Sequence, residues 1–149
     1  MLKKILILLL IINLYGCSQP DGYDSNHNAI NFNDYRGKWL IVNYWASWCK
    51  PCLIEMPTLN AFYKSHKDSV MVLGVNFDGT DDQELNQIAK QHQIQYPLIS
   101  TLNNAQLEEQ DFSVLPVSFV FNPQGKLVQT LRGPQTAHNL QQLISKPKA

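Results

Sequence analysis

The stretch NYWASWCKPC, Asn43 to Cys52, holds the two features that decide the fold of this chain. Its first residues end an apolar, β-branched and aromatic run, WLIVNYW at 39–45, which predicts a strand buried on both faces. Its last residues carry Cys49 and Cys52, separated by two residues, where a helix is expected to begin. A cysteine pair of this kind can bind a metal, form a structural bridge or exchange electrons.

Cys49 is expected to be nucleophilic because it follows the strand and lies in the first turn of the helix. Unpaired backbone N–H groups and the helix dipole stabilise a thiolate there. Lys50 adds a neighbouring positive charge, and Pro51 suits the first helical turn. Cys52, one turn further on, should be more buried and act as the resolving thiol, which displaces the product from a mixed disulfide with Cys49. The pair therefore predicts thiol–disulfide exchange.

The other interpretations of the pair have less support. A structural zinc site usually takes four ligands from two such pairs. The chain has no second pair, and its histidines are scattered without ligand spacing at His27, His66, His92 and His138. A structural disulfide across so small a loop would constrain the unfolded chain very little. We expect redox activity with no metal and no cofactor, while metal binding and a structural bridge remain alternatives.

The rest of the chain alternates between strand and helix patterns. Periodicity and turn residues predict further strands at 70–77, 96–99, 117–121 and 126–131, and helices at 51–66, 81–93, 105–111 and 136–145. Pro57 falls inside the first helix, where it removes a backbone hydrogen bond and causes a kink. The order β-α-β-α, then a β-hairpin and a helix, predicts an α/β sandwich with a mixed central sheet. At 149 residues, one domain is expected.

The N-terminus has the pattern of an export signal. Lys3 and Lys4 precede an uninterrupted aliphatic run at 5–12, which is too short for a permanent membrane-spanning helix. The sequence LYGC at 14–17 then resembles the lipobox of bacterial lipoproteins. That resemblance implies cleavage before Cys17 and a lipid attached to its sulfur. An uncut membrane anchor and an ordinary signal cleaved elsewhere are the alternatives.

The sequence thus divides into a lipoprotein signal peptide at 1–16, a flexible tether at 17–31 and a folded domain at 32–149. The tether is expected because 18–31 is rich in Ser, Asn, Asp, Gly and Pro and has little to bury. Every version of the signal places the domain outside the cytoplasm, where disulfides persist. With 12 basic and 12 acidic residues, nothing in the composition favours nucleic-acid binding.

The segment WASWCKPC resembles the active site of the thioredoxin superfamily, and more specifically of its TlpA/ResA/DsbE branch of membrane-tethered thiol–disulfide oxidoreductases. The resemblance extends over about 35–145 and includes YRGKWLIVNYWASWCKPC, the inserted segment QYPLI and the loop and hairpin LPVSFVFNPQGK. Pro57 matches the proline that kinks the helix in these proteins. The implied fold is thioredoxin-like, which agrees with the order of elements.

The resemblance also assigns roles to residues outside the cysteine pair. Pro116 matches the cis-proline, which would place the backbone of Leu115 beside the cysteines for strand-like hydrogen bonds to a substrate segment. Glu55 matches a glutamate that can accept the proton of the resolving thiol, the alternative being an ordinary solvated helix glutamate. Trp48 is assigned to the rim of the site and Trp45 to the core.

The chain departs from the family pattern at several positions. Asn43, which cannot take a proton, stands where thioredoxin has a buried aspartate. Lys50 lies between the cysteines where relatives often have other residues, and Val114 stands where small residues are common before the cis-proline loop. The segment ahead of Tyr35 is short, so we expect the N-terminal strand or hairpin of some relatives to be missing. These departures bear on the substrate more than on the fold.

The resemblance implies a lipid-anchored, monomeric oxidoreductase that faces the periplasm or extracytoplasmic side and reduces disulfides of client proteins. Its usual task would be cytochrome c maturation, in which apocytochrome cysteines are reduced before haem attaches. A membrane electron donor would re-reduce Cys49 and Cys52. One alternative is a dithiol oxidase or isomerase, which Lys50 favours because a stabilised thiolate makes the pair more oxidising. Another is a copper-handling module, which would want a third soft or imidazole ligand.

Overall fold

The computed structural model describes residues 19–145, and within them the chain forms one seven-stranded sheet flanked by three helices. A short 3-10 turn at Phe32–Tyr35 precedes the central strand. The predicted signal peptide at 1–16 and Cys17 lie outside the described residues. The strands are β1 Gly22–Asp24, β2 Ala29–Ile30, β3 Trp39–Trp45, β4 Val70–Asn76, β5 Leu98–Leu102, β6 Val117–Phe121 and β7 Leu127–Arg132, and the helices are α1 Lys50–Ser65, α2 Asp82–Gln91 and α3 Ala137–Ile144.

The sheet is mixed, as the order of elements predicts, and β3 lies near its centre. The strand order is β2-β1-β5-β4-β3-β6-β7. Strand β3 pairs parallel with β4 and antiparallel with β6, and β4 pairs parallel with β5. In this register Asn43 lies opposite Gly74 on one side and Ser118 on the other. The middle of the sheet therefore brings a small polar group and a glycine beside Asn43.

Strand β3 is buried on both faces because hydrophobic layers cover the sheet on either side. Trp39, Ile41 and Trp45 pack with α1 and α3, whereas Leu40 and Val42 pack with side chains of β6 on the opposite face. Burying a large apolar side chain contributes about 1.5–3 kcal/mol. The continuous apolar run of β3 thus supplies both layers, and it fixes the strand whose end leads to the cysteine pair.

The helix boundaries agree with the sequence predictions to within a few residues, and side chains cap each helix. Cys49 is the N-cap of α1. The Asp81 carboxylate accepts a hydrogen bond of 2.9 Å from the backbone N–H of Glu84 at the start of α2. The Thr136 hydroxyl accepts one of 3.2 Å from the N–H of Asn139 in α3. These bonds satisfy N–H groups that would otherwise lack partners in the first turns.

The predicted flexible tether is wrong for residues 22–30, where β1 and β2 form a hairpin. Strand β1 also pairs antiparallel with β5, so the hairpin extends the main sheet. The Asp24 carboxylate accepts backbone hydrogen bonds from Asn26 and Asn28, both 2.9 Å. The Asp and Asn residues that indicate a tether therefore build the turn of a hairpin. The expected absence of an N-terminal hairpin is wrong for the same reason.

The predicted helix at 105–111 is also wrong, because the chain forms only successive turns there. The N–H of Leu107 donates to the carbonyl of Asn104, and the N–H of Gln110 donates to the carbonyl of Leu107. The Asn104 side chain also accepts a hydrogen bond of 3.0 Å from the N–H of Gln106. Such a local bond competes with helix formation, and Leu107 is the one side chain of the turns that is fully buried. The short predicted strand at 96–99 is shifted to β5, which begins after Pro97.

Candidate active site

Cys49 and Cys52 are joined by a disulfide at the start of α1, with their Cα atoms 5.3 Å apart. The backbone N–H of Cys52 donates a hydrogen bond of 3.3 Å to Sγ of Cys49. Cys49 is 4% exposed and Cys52 1% exposed, so the second cysteine is the more buried, as predicted. When the disulfide is reduced, the N–H group and the helix dipole can stabilise a thiolate at Cys49. The geometry therefore favours Cys49 as the attacking sulfur.

The residues around the pair divide into an exposed rim and a buried core. Trp48 is 70% exposed, and Lys50 and Pro51 also face solvent. Trp45 is buried among the side chains between the sheet and α1. Trp45 thus lies in the core, as predicted, whereas the role of Trp48 at the rim of the site stays a prediction. Because Lys50 is exposed, water and salt screen its charge.

The loop between β3 and α1 is held by Asp78, a residue that sequence reasoning missed. Its carboxylate accepts hydrogen bonds from the backbone N–H (2.8 Å) and hydroxyl (2.9 Å) of Ser47, and from Nε1 of Trp48 (2.7 Å). Desolvation raises the pKa of Asp78, but the bonds from Ser47, Asn76 and Trp48 outweigh it, and the pKa lies below its ordinary value. One sequence feature could have indicated Asp78: it follows β4, and β4 pairs parallel with β3, so both strands end at the same edge of the sheet. Asp78 thus orients the exposed indole beside Cys49.

Pro116 lies at the start of β6, and the Leu115–Pro116 peptide bond is cis, as the resemblance implied. Pro116 is buried, and its carbonyl accepts a hydrogen bond of 2.8 Å from the N–H of Gly133. The next residue, Val117, pairs with Tyr44 of β3. Since β3 leads directly into the cysteine loop, the cis-proline loop and the disulfide lie at the same end of neighbouring strands.

Glu55 lies about one helical turn after Cys52 on α1 and is only 2% exposed. Its Oε1 accepts a hydrogen bond of 2.7 Å from the backbone N–H of Gln135, and its Oε2 accepts one of 3.1 Å from Nδ2 of Asn43. Burial raises the pKa of Glu55 to about 7, against the opposing effect of the bonds from Gln135 and Asn43. The alternative of a solvated helix glutamate is therefore wrong. A carboxyl that titrates near neutral pH can accept and release a proton there.

Asn43 links Glu55 to the sheet, a connection that the sequence did not indicate. Besides the bond to Glu55, its Nδ2 donates 2.9 Å to Oγ of Ser118 on β6. Gln135, which contacts Glu55 through its backbone, lies in the segment between β7 and α3. No local pattern marks Ser118 or Gln135, because both reach the site only through the pairing and packing of distant segments.

Two further features of residues 19–145 concern metal sites and membrane-spanning helices. Within residues 19–145, no three His, Cys, Asp or Glu side chains group together as a metal site. Over the same residues, no helix combines the length and apolar character needed to span a membrane.

A family profile and curated relatives both match this chain. A profile of the AhpC/TSA family matches residues 17–130, more than half of the sequence. The chain belongs to this family. Thiol–disulfide oxidoreductase ResA of Bacillus thuringiensis subsp. konkukian (strain 97-27) is 27% identical over 166 residues, which cover 98% of this chain and 95% of the relative. ResA of Bacillus subtilis (strain 168) is 32% identical over 114 residues, 76% of this chain and 63% of the relative.

Solved structures of similar proteins agree with the fold. The crystal structure of StoA from Bacillus subtilis superposes with a TM-score of 0.65 at 27% identity, covering 81% of this chain and 92% of StoA. The pneumococcal exposed lipoprotein thioredoxin Etrx1 from Streptococcus pneumoniae strain TIGR4 superposes with a TM-score of 0.68, covering 83% of this chain and 95% of Etrx1. At 23% identity this likeness shows the fold alone. This AhpC/TSA family member is a thiol–disulfide oxidoreductase with a thioredoxin-like fold, as WASWCKPC predicts.

Proposed function

We propose that this oxidoreductase reduces disulfides of client proteins outside the cytoplasm, with Cys49 as nucleophile and Cys52 as resolving thiol. The observation that carries the proposal is the hydrogen bond from the Cys52 N–H to Sγ of Cys49 at the start of α1. It supports a reactive thiolate at the outer sulfur, while the inner sulfur is shielded until a client is attached. The cis bond before Pro116 and the buried carboxyl of Glu55 supply the remaining parts of the site.

The reaction exchanges two electrons in two steps. In the reduced enzyme, the Cys49 thiolate attacks one sulfur of a client disulfide, which forms a mixed disulfide and releases the other client sulfur as a thiolate. Cys52 then gives its proton to Glu55 and attacks Sγ of Cys49. This attack closes the Cys49–Cys52 disulfide and releases the second client thiolate. The client gains two electrons, and a membrane electron donor must return two electrons to the enzyme.

The surface around the cysteines supports binding of an extended, apolar client segment. Trp48, Phe77 and Val114 are large apolar side chains with about half or more of their area exposed. The ring of Phe77 lies 6.4 Å from that of Phe112, so this aromatic surface continues beyond the rim. The backbone of Leu115 offers strand-like hydrogen bonds next to it. Exposed apolar area of this kind commonly marks a protein-binding surface.

We further propose that a lipid on Cys17 holds the domain at a membrane after removal of residues 1–16. The basic start, the short aliphatic run and LYGC at 14–17 support this proposal. In this arrangement the enzyme acts as a monomer on the extracytoplasmic side, where client disulfides form and persist.

The proposed client is apocytochrome c, whose cysteines must be reduced before haem attaches. Deleting the gene should therefore remove most covalently haem-bound c-type cytochrome from a host that makes it, because oxidised apocytochrome cannot receive haem. Wild-type protein should restore haem-stained cytochrome c, a Cys49→Ser variant should not, and dithiothreitol in the medium should replace the enzyme. Unchanged cytochrome c in the deletion strain would show that the client is a different protein.

A further inference from the structure

Two buried hydrogen-bond donors lie close to the Glu55 site without using their donor groups. The hydroxyl of Tyr96 and Nε1 of Trp45 have no hydrogen-bond partner within residues 19–145. Tyr96 is only 3% exposed, so its hydroxyl lies away from bulk solvent. A buried polar group without a partner costs free energy, so each one in a native protein needs a structural or functional explanation.

Gly74 shows how Tyr96 and Trp45 approach the site. A Cβ atom built on Gly74 would lie 2.8 Å from Cε2 of Tyr96 and 3.3 Å from Nε1 of Trp45. Both side chains therefore pack directly against this glycine. Gly74 lies opposite Asn43 in the parallel register, and Asn43 donates to Oε2 of Glu55. The Tyr96 ring, Asn43 and Glu55 thus share the space between the sheet and α1.

The electrostatics agree with this placement. Burial, and after it the charge of Glu55, raises the pKa of the Tyr96 hydroxyl far above its ordinary value. Cys52 lies one turn before Glu55 on α1, and Tyr96, in the segment before β5, is a titratable group on which the charge of Glu55 acts. Strands β3 and β6 and the segment after β7 contribute only neutral groups, namely Asn43, Ser118 and the backbone of Gln135.

We propose that Tyr96 is a positioning residue for Glu55, whose carboxylate accepts a hydrogen bond from the Tyr96 hydroxyl in the dithiol form of the enzyme. In the disulfide form, Gln135 and Asn43 already occupy the two carboxylate oxygens, and the hydroxyl is unused. Reduction separates the two sulfurs and returns a thiol proton to the space beside Glu55. A hydrogen bond to the carboxylate favours its charged form. Tyr96 then sets the pH at which Glu55 can take the proton of Cys52, a role that rests on the proposed function.

Tyr96→Phe removes this oxygen and keeps the ring, so it tests the inference directly. We expect the acid limb of the turnover–pH profile, measured between pH 5 and pH 9 with an oxidised protein client, to move up by about one pH unit. One pH unit below the wild-type midpoint, turnover should fall about tenfold, whereas the plateau at pH 9 should be unchanged. Tyr44→Phe, which removes a hydroxyl on the opposite face of the sheet, should leave the midpoint in place. Normalising each profile to its plateau removes any effect of the folded fraction.

The same substitution in a Glu55→Gln background separates this inference from the proposed role of Glu55. There Tyr96→Phe should have no effect on the profile. A Tyr96→Phe profile that coincides with the wild-type profile, or an equal shift with and without Glu55, would overturn the inference while the role of Glu55 stands. If Glu55→Gln alone leaves the acid limb in place, the proton-accepting role of Glu55 fails, and the inference about Tyr96 fails with it.

Discussion

A Cys52→Ser variant should lose turnover by about three orders of magnitude or more and accumulate as a mixed disulfide with its client. Cys49 keeps its place at the start of α1 in this variant and can still attack. Without the second sulfur, however, nothing displaces the client from Cys49. Loss of a residue that acts directly in a covalent mechanism has effects of this size. Turnover of a disulfide-containing protein and non-reducing gel electrophoresis measure the two results.

Cys49→Ser is the matched control, because it removes the attacking sulfur and keeps Cys52. It should lose turnover to the same extent, but it should form no mixed disulfide, since Cys52 is almost completely buried. If Cys49→Ser instead trapped client and Cys52→Ser did not, the roles of the two sulfurs would be exchanged. Retention of turnover in either variant would contradict the proposed two-step exchange.

Glu55→Gln should stabilise the oxidised protein above neutral pH. The pKa of Glu55 is about 7 in the folded protein, against an ordinary value of 4.5. Between these two values, the unfolded chain has lost the proton while the folded protein keeps it. The free energy of unfolding therefore falls as pH rises through this window, and the loss is complete above about pH 7. One pH unit between two pKa values is worth about 1.4 kcal/mol, so the full loss is about 3 kcal/mol.

Glutamine has no charge to bury, so it removes this pH-dependent loss. Urea unfolding of the oxidised wild type and of Glu55→Gln at pH 5 and pH 8 measures the effect. The stability of the variant relative to the wild type should increase by about 2 kcal/mol between these pH values. The same change at the exposed Glu109 should give no such trend. A relative stability of Glu55→Gln that is equal at pH 5 and pH 8 would contradict the raised pKa.

The central elements of the fold could be predicted because their signals are local and strong. Strand β3 is apolar at nearly every position, and the helix after it begins at a cysteine, a lysine and a proline that suit a first turn. The cis bond at Pro116 came from the resemblance. A proline in a sequence is compatible with either isomer, and nothing in the spacing of residues selects one.

The errors arose where distant segments determine the local structure. The hairpin of β1 and β2 depends on pairing with β5, about 75 residues further along the chain, and its turn depends on the Asp24 carboxylate. Its polar composition by itself is typical of a tether. The turns at 105–109 contain one buried side chain, Leu107, which is too little to hold a helix against the sheet.

The site could be predicted only in part, because some of its residues lie on one helix and others come from distant segments. The cysteine pair and Glu55 lie on one helix, so their spacing places them on adjacent turns. Asp78, Ser118 and Tyr96 come from three other parts of the chain, and each reaches the site only after the sheet has formed. Their types are unremarkable in the sequence. Only the contacts of the folded chain distinguish an aspartate that holds Trp48 from one that merely faces solvent.

The reduction potential of the Cys49–Cys52 pair tests the proposed direction of electron flow most directly. The domain would be equilibrated with dithiothreitol and glutathione buffers, and the fractions of dithiol and disulfide would be measured at each ratio. We expect a potential near or below about −250 mV, at the thioredoxin end of the scale, which requires a strong membrane donor. A potential near about −120 mV would mean that the pair is an oxidant. That result would contradict the proposed reductase and favour the alternative, a dithiol oxidase.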